Sequence, residues 1–170
     1  MPEQPTIEIN GALTLGELTR FHYFHLWRKS WKLGIISILL VASAAVALGN
    51  FSSTLDAFVV VWIAVIILIP YRSARKQWKL MPYLAEPLCQ TFTTQTIRRT
   101  SPSISSDVNW SVVREIYETR SFFLLYISPN QALIVSKRFF PDAVTLHAWK
   151  ELAKSQTPRF IEDNFIARWF

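Results

Sequence analysis

The nineteen residues from Leu33 to Phe51 (LGIISILLVASAAVALGNF) contain no ionisable side chain. As a helix rising ~1.5 Å per residue, such a run measures ~28 Å, close to the ~30 Å hydrocarbon core of a bilayer. A second charge-free run, Ala57 to Tyr71 (AFVVVWIAVIILIPY), follows the polar linker Asn50 to Asp56. This run reaches only ~22 Å, so crossing would need Asp56 near the outer headgroups and a snorkelling Arg72, or a thinner bilayer. The sequence therefore predicts a transmembrane helical hairpin over residues 33–71. A buried core helix is the alternative, but it would lack partners in a chain of 170 residues. For the first run a signal peptide is the other, and its start at residue 33 and the lack of a cleavage site argue against it.

Charge placement orients the expected hairpin. Arg28, Lys29 and Lys32 precede the first run, and Arg72, Arg75, Lys76 and Lys79 follow the second, while the linker holds only Asp56. Because translocation of Lys and Arg is disfavoured, this pattern predicts both termini in the cytoplasm. Trp27, Trp31, Tyr71 and Trp78 fit an aromatic belt on the same side. The excess of 18 basic over 12 acidic residues gathers largely at these flanks, where lipid headgroups are the nearest anions. The expected partner is accordingly the lipid bilayer, and nucleic acid is not expected. Ser43 with Ala47, and Ala45 with Gly49, form small-xxx-small pairs that suit packing against the second helix, with a homo-oligomer face as the alternative. Neither run carries an internal charge, which argues against a transporter or channel.

The flanking segments read differently. Residues 1–32 hold a short alternating strand (PTIEIN, from Pro5) and a capping box, Thr14-x-x-Glu17, that opens an amphipathic helix with Leu15, Leu18, Phe21, Phe24, Trp27 and Trp31 on one face. Residues 72–87 form a basic, Pro-containing linker. From 88 to 157 the texture turns to short runs rich in Thr, Ile, Val and aromatics: Cys89–Arg98, Ser103–Trp110, Val112–Glu118, Phe122–Ile127 and Ala132–Lys137. Turn-formers such as Ser128-Pro129-Asn130 separate them, which favours antiparallel neighbours. Pro141–Ser155 reads as a helix that caps the sheet through Val144, Leu146, Trp149, Leu152 and Ala153. The tail, 158–170, mixes aromatics with charges and fits either a docked or a surface-lying segment. The fold class expected is α+β: a transmembrane hairpin with a small antiparallel β-sheet domain and a capping C-terminal helix.

Between Trp110 and Phe140 the sequence runs WSVVREIYETRSFFLLYISPNQALIVSKRFF. This resembles the C-terminal domain of the bacterial YcxB-like membrane proteins. Trp110, Val113, Ile116, Glu118 and Thr119 match the family's W-x-x-[IV]-x-x-[IV]-x-E-T. Phe123, Leu125, Tyr126 and Ile127 match an aromatic-rich strand, and Ala132, Ile134, Lys137, Arg138 and Phe140 match its Ala-Ile-Ile-Pro-Lys-Arg-x-Phe segment. Ser136 replaces the usual Pro, and Phe139 a common Ala. The resemblance implies two spans ahead of a pleckstrin-homology-like domain at the bacterial inner membrane, with no established activity.

Chemistry is sparse. There is no Gly-rich phosphate loop, no H-E-x-x-H and no G-x-S-x-G, and the single cysteine, Cys89, forbids an intrachain disulfide. His22 and His25 lack a third metal ligand nearby, His147 lies at the edge of a helix stripe, and the acid pairs Glu115/Glu118 and Glu162/Asp163 read as exposed charges. No catalytic, metal or cofactor-binding residue is expected. Lys137 and Arg138 are candidates for a headgroup or partner contact, against the simpler reading of a solvated basic pair guarding a strand end. The function expected is that of a membrane-tethered, non-enzymatic adaptor whose cytoplasmic domain binds a protein segment or anionic headgroups. The alternative is an accessory subunit or small oligomeric assembly acting through its hairpin.

Overall fold

The computed structural model describes residues 6–47 and 51–162. The chain opens with strand β1 (Ile7–Gly11) and then enters helix α1 (Leu15–Ala47). The expected capping box forms: Thr14 N–H donates to Glu17 Oε2 at 2.8 Å, and Glu17 N–H donates to Thr14 Oγ1 at 3.2 Å. Two of the donors left orphaned at a helix start are thereby satisfied reciprocally. Helix α2 (Phe51–Leu80) returns beside α1.

The expectation of a transmembrane hairpin is overturned: among the described residues, no helix is long and apolar enough to cross a membrane. Both helices are long, but each is divided. In α1 the described apolar part begins at Leu33 and stops at Ala47, and in α2 it runs from Ala57 to Ile69 before Pro70 and Arg72. At ~1.5 Å per residue these stretches measure ~22 and ~20 Å, short of a ~30 Å hydrocarbon core. The multi-pass inner-membrane placement with both termini cytoplasmic, which rested on that hairpin, falls with it.

Gly34 and Ser37 of α1 meet α2 directly; of the small-residue pairs singled out in the sequence, Gly49 and the side chains of Ala45 and Ala47 lie outside the described residues. A Cβ on Gly34 would stand 2.7 Å from the Trp62 ring, so the indole packs against bare backbone, and Trp62 Nε1 donates to Ser37 Oγ at 3.0 Å. Tyr23 donates to the Ile67 carbonyl at 2.9 Å, and His22 pairs with Gln77 at 2.8 Å. Ser43 is exposed and bonds back to Leu39 O.

A short 3₁₀ turn, Pro82–Ala85, leads to the first sheet, whose strands β2 (Leu88–Phe92), β3 (Thr96–Thr100) and β4 (Ser105–Asn109) lie in the order β1-β2-β3-β4, all antiparallel. The expected single run Cys89–Arg98 is thus two strands. Its threonines break it, because Thr93 Oγ1 accepts from the N–H groups of Gln95 and Thr96 and closes a turn. The second sheet, order β7-β6-β5-β8, contains β5 (Glu115–Glu118), β6 (Phe122–Ser128), β7 (Gln131–Ser136) and β8 (Phe160–Ile161). β8 pairs parallel with β5, so this part of the tail docks on the sheet. Residues 110–112 form a 3₁₀ turn rather than strand.

Helix α3 (Ala143–Gln156) starts at Asp142, whose carboxylate accepts from Thr145 N–H at 2.6 Å. It carries Trp149 into the centre of the core, 5.5 Å from the Phe92 ring of the first sheet and 4.5 Å from the Phe123 ring of the second. One indole thereby contacts both sheets. Leu18, Phe21 and Phe24 of α1 are buried in the same core, as are Ile9 of β1, Phe92, Ile97 and Phe122–Tyr126. The N-terminal residues are therefore built into the β unit. Gly11 is needed where it stands, since a Cβ there would overlap the Phe139 ring.

Candidate functional site

The family-motif residues are staples of this fold. Trp110 Nε1 donates to Thr93 O at 2.8 Å and pins the β2–β3 turn. Thr119 closes the β5–β6 turn, donating to Phe122 O at 2.8 Å and accepting from Phe122 N–H at 3.0 Å. Phe140 packs on Trp149 with ring centroids 5.7 Å apart. Glu118 accepts from Lys137 at 2.7 Å and from Lys150 of α3 at 2.9 Å.

The two candidate contact residues, Lys137 and Arg138, are engaged. Lys137 Nζ meets Glu118 and stands 4.9 Å from the Phe123 ring. Arg138 donates to both oxygens of Glu17, at 2.8 and 2.9 Å, and to the Ala12 carbonyl. Burial of Glu17 favours its neutral form, but bonds from Arg138, Ser136 and Thr14 outweigh this and hold its pKa at about 2. A headgroup at this pair would have to displace carboxylates already in place.

The expected interface anchors disperse. Trp27 is exposed, Trp78 packs against the core, and Arg75 stacks on Tyr71 at 5.3 Å. Arg72 and Lys76 are exposed on α2, Lys32 is exposed on α1, and the side chain of Trp31 lies outside the description. Lys29 and Arg28 turn toward the β unit instead. Lys29 donates to Asn130 Oδ1 at 3.0 Å, and Arg28 donates to Pro129 O at 3.1 Å, both in the β6–β7 turn.

Arg28 lies in a charged mouth between α1 and the second sheet. Its guanidinium carbon lies 3.9 Å from the Tyr126 ring centroid and 5.5 Å from that of Tyr117, and it is ion-paired with Glu115. Arg159, beside β8, reaches the other oxygen of Glu115 at 3.7 Å. Arg114 is exposed at the start of β5, and its guanidinium has no bonded partner among the described residues. With Ser128 and Pro129 these groups line a cavity of about 300 Å³. Three arginines and a single carboxylate thus line one cavity.

Burial raises the Tyr126 phenol to about 12, although the Arg28 charge opposes this. His25, 3.3 Å from the Tyr126 hydroxyl, is pushed below the usual imidazole value by burial and by the charges of Arg28, Lys29 and His22. The mouth is therefore cationic, with its tyrosine and histidine neutral near pH 7. Planar guanidinium forks suit carboxylate or phosphate oxygens.

Glu115 and Glu118, read from sequence as exposed, are half-buried and paired. Arg114 and Arg159 were not singled out. The R-E dipeptide beside the Trp110 motif was the only local signal, and nothing local links it to Arg28, 87 positions earlier. Among the described residues, no group of His, Cys, Asp and Glu could hold a metal ion. Burial and the neighbouring Glu8 carboxylate push the Cys89 thiol upward, which disfavours the reactive thiolate.

The family model described as YcxB-like protein matches residues 92–153. The segment Trp110–Phe140 lies inside that match, so the resemblance read from its motifs is borne out. No curated protein matches the chain, and no solved structure does.

Proposed function

We propose, for a chain whose residues 92–153 are YcxB-like, that it is a non-enzymatic binding module, an adaptor that grips an anionic group of a partner protein in the arginine mouth. The observation that carries this reading is the imbalance at Glu115. One carboxylate pairs with Arg28 and Arg159, and Arg114, which lines the same cavity, is left for an incoming oxygen. Arg28 is fixed by stacking and by the Pro129 carbonyl, so it sets the geometry, while the exposed Arg114 and Arg159 close on the ligand. Preorganisation of one fork lowers the ordering cost of binding. Burial makes His25 a weaker base and raises the Tyr126 phenol to about 12, so the two are poorly matched as base and nucleophile, which supports binding over catalysis. The test is titration of the intact chain with inorganic phosphate and with a phosphorylated and an unphosphorylated acidic peptide. Saturable binding that weakens at least tenfold in Arg114→Ala/Arg159→Ala supports the proposal; equal binding by that variant overturns it.

A second reading, assembly through the helical hairpin, is favoured by a separate observation. Leu39, Leu40, Val46, Val60 and Val61 are each at least 60% exposed on the distal half of the hairpin. Contiguous apolar surface of this kind marks contact sites. Sedimentation velocity of the intact chain tests it: a concentration-dependent oligomer abolished by Leu40→Glu/Val60→Glu supports self-assembly. A monomer, or uptake by lipid vesicles without self-association, rejects it.

A further inference from the structure

The first sheet hides a second polar feature, remote in sequence from the arginine mouth and independent of it. On the inner face of that sheet, Ile9, Gln90, Arg99 and Ser106 stand side by side in register across the four strands. Gln90 has no exposed surface, and neither its amide nitrogen nor its amide oxygen has a hydrogen-bond partner. Beside it, the Arg99 Nε is buried and equally unpartnered. No carboxylate pairs with Arg99 among the described residues; Glu86 spends its oxygens on the backbone and hydroxyl of Ser103 and on Ser101. An unpaired buried cation is costly, and native folds keep one where something else supplies the opposite charge.

Space for that charge is present. Arg99, Ser101 and Ser106 form the polar side of a cavity of about 230 Å³, roofed by Tyr83 and Leu84 of the 3₁₀ turn and walled by Leu88. That volume equals about eight waters at ~30 Å³ each. We infer that this cavity binds a small organic monocarboxylate, its carboxylate on Arg99 with Ser106 and its short apolar body against Leu84 and Leu88. One guanidinium matches one negative charge. A phosphate dianion would bring an uncompensated charge against leucine walls, whereas a carboxylate with a hydrocarbon or aromatic body satisfies both halves of the cavity.

The experiment is calorimetric titration of the full chain carrying Arg114→Ala/Arg159→Ala, which disables the arginine mouth, with benzoate, hexanoate, benzamide and inorganic phosphate, together with the Arg99 Nε–H resonance followed by NMR. The inference expects one-to-one saturable binding of benzoate or hexanoate, displacement of the Arg99 resonance, and at least tenfold weaker binding of benzamide and phosphate. Arg99→Met, which replaces an unpaired cation by an apolar chain of similar length, should keep its fold and lose carboxylate binding by at least tenfold. Should that variant fail to fold, Ser106→Val in the same assay is expected to weaken benzoate by a smaller factor, and an unchanged affinity counts against the site. Benzamide binding as tightly as benzoate, a static Arg99 resonance, or no saturation by either carboxylate overturns the inference. Because Arg114→Ala/Arg159→Ala disables the arginine mouth in every titration, failure here is distinct from failure of that mouth.

Discussion

Helix α1 passes through two environments, and its halves behave as different materials. In the first half, Leu18, Phe21 and Phe24 are buried against the two sheets, and Glu17 is clamped by Arg138 and Ser136. In the second half, Ile35, Ile36, Leu39 and Leu40 are as apolar as the first set yet lie open, with α2 covering one side only. Composition alone does not bury a residue; a facing surface does, and the β unit supplies one only to the first four turns. The contrast also explains why Arg28 can be a site residue while Trp27, one position earlier, is exposed: each turn of the helix is read by what lies beside it.

Substitutions sharpen the contrast most where both sheets meet. Trp149→Ala should cost about 3–5 kcal/mol by leaving a cavity between Phe92 and Phe123, and Phe24→Ala about as much, both seen as a lower midpoint in urea unfolding. A loss below about 1 kcal/mol at Phe24 would mean that α1 is not part of the shared core. Next in size is Glu17→Ala, which removes the capping box and strands Arg138, for an expected loss of about 2–3 kcal/mol in the same assay.

The pH dependence follows from the same residue. The carboxylate of Glu17 is held at about 2 in the fold, against the ordinary 4.5, so its anion is favoured by the fold. Its contribution is complete above about pH 4.5 and is lost as the pH falls toward 2. With Arg138 half in solvent, that contribution is about 2–3 kcal/mol. Glu17→Gln should flatten the acid limb of stability against pH, and an unaltered limb would remove Glu17 from the account. The smallest effect is expected at the distal end: Leu40→Ala should change stability by less than about 0.5 kcal/mol, since the side chain is 66% exposed. A loss above 2 kcal/mol there would show that the distal half is covered.

Local patterns were legible in the sequence. The Thr14–Glu17 capping box, the Asp142-capped helix with Trp149, and the strands beginning at Ile7, Phe122 and Gln131 follow from periodicity and capping chemistry. The misreadings came from long range. Charge-free length suggested spans, yet whether an apolar run reaches across a bilayer depends on where each helix starts and stops. The Cys89–Arg98 run hid a turn made by threonine side chains. The arginine mouth was invisible because its members come from α1, β5 and the segment before β8, and basic residues before a hydrophobic run read as anchors when their true neighbours are far along the chain.

Hydrogen–deuterium exchange along α1 of the intact chain tests most directly the claim that its first half and the two sheets form one body with the arginine mouth at their seam. The account predicts that amides from Leu18 to Arg28 exchange as slowly as those of Phe122 to Tyr126, and that amides from Ile35 to Val46 exchange sooner through local opening. Fast exchange in Leu18–Arg28 while β6 stays protected, or uniform protection along the whole helix, would contradict it.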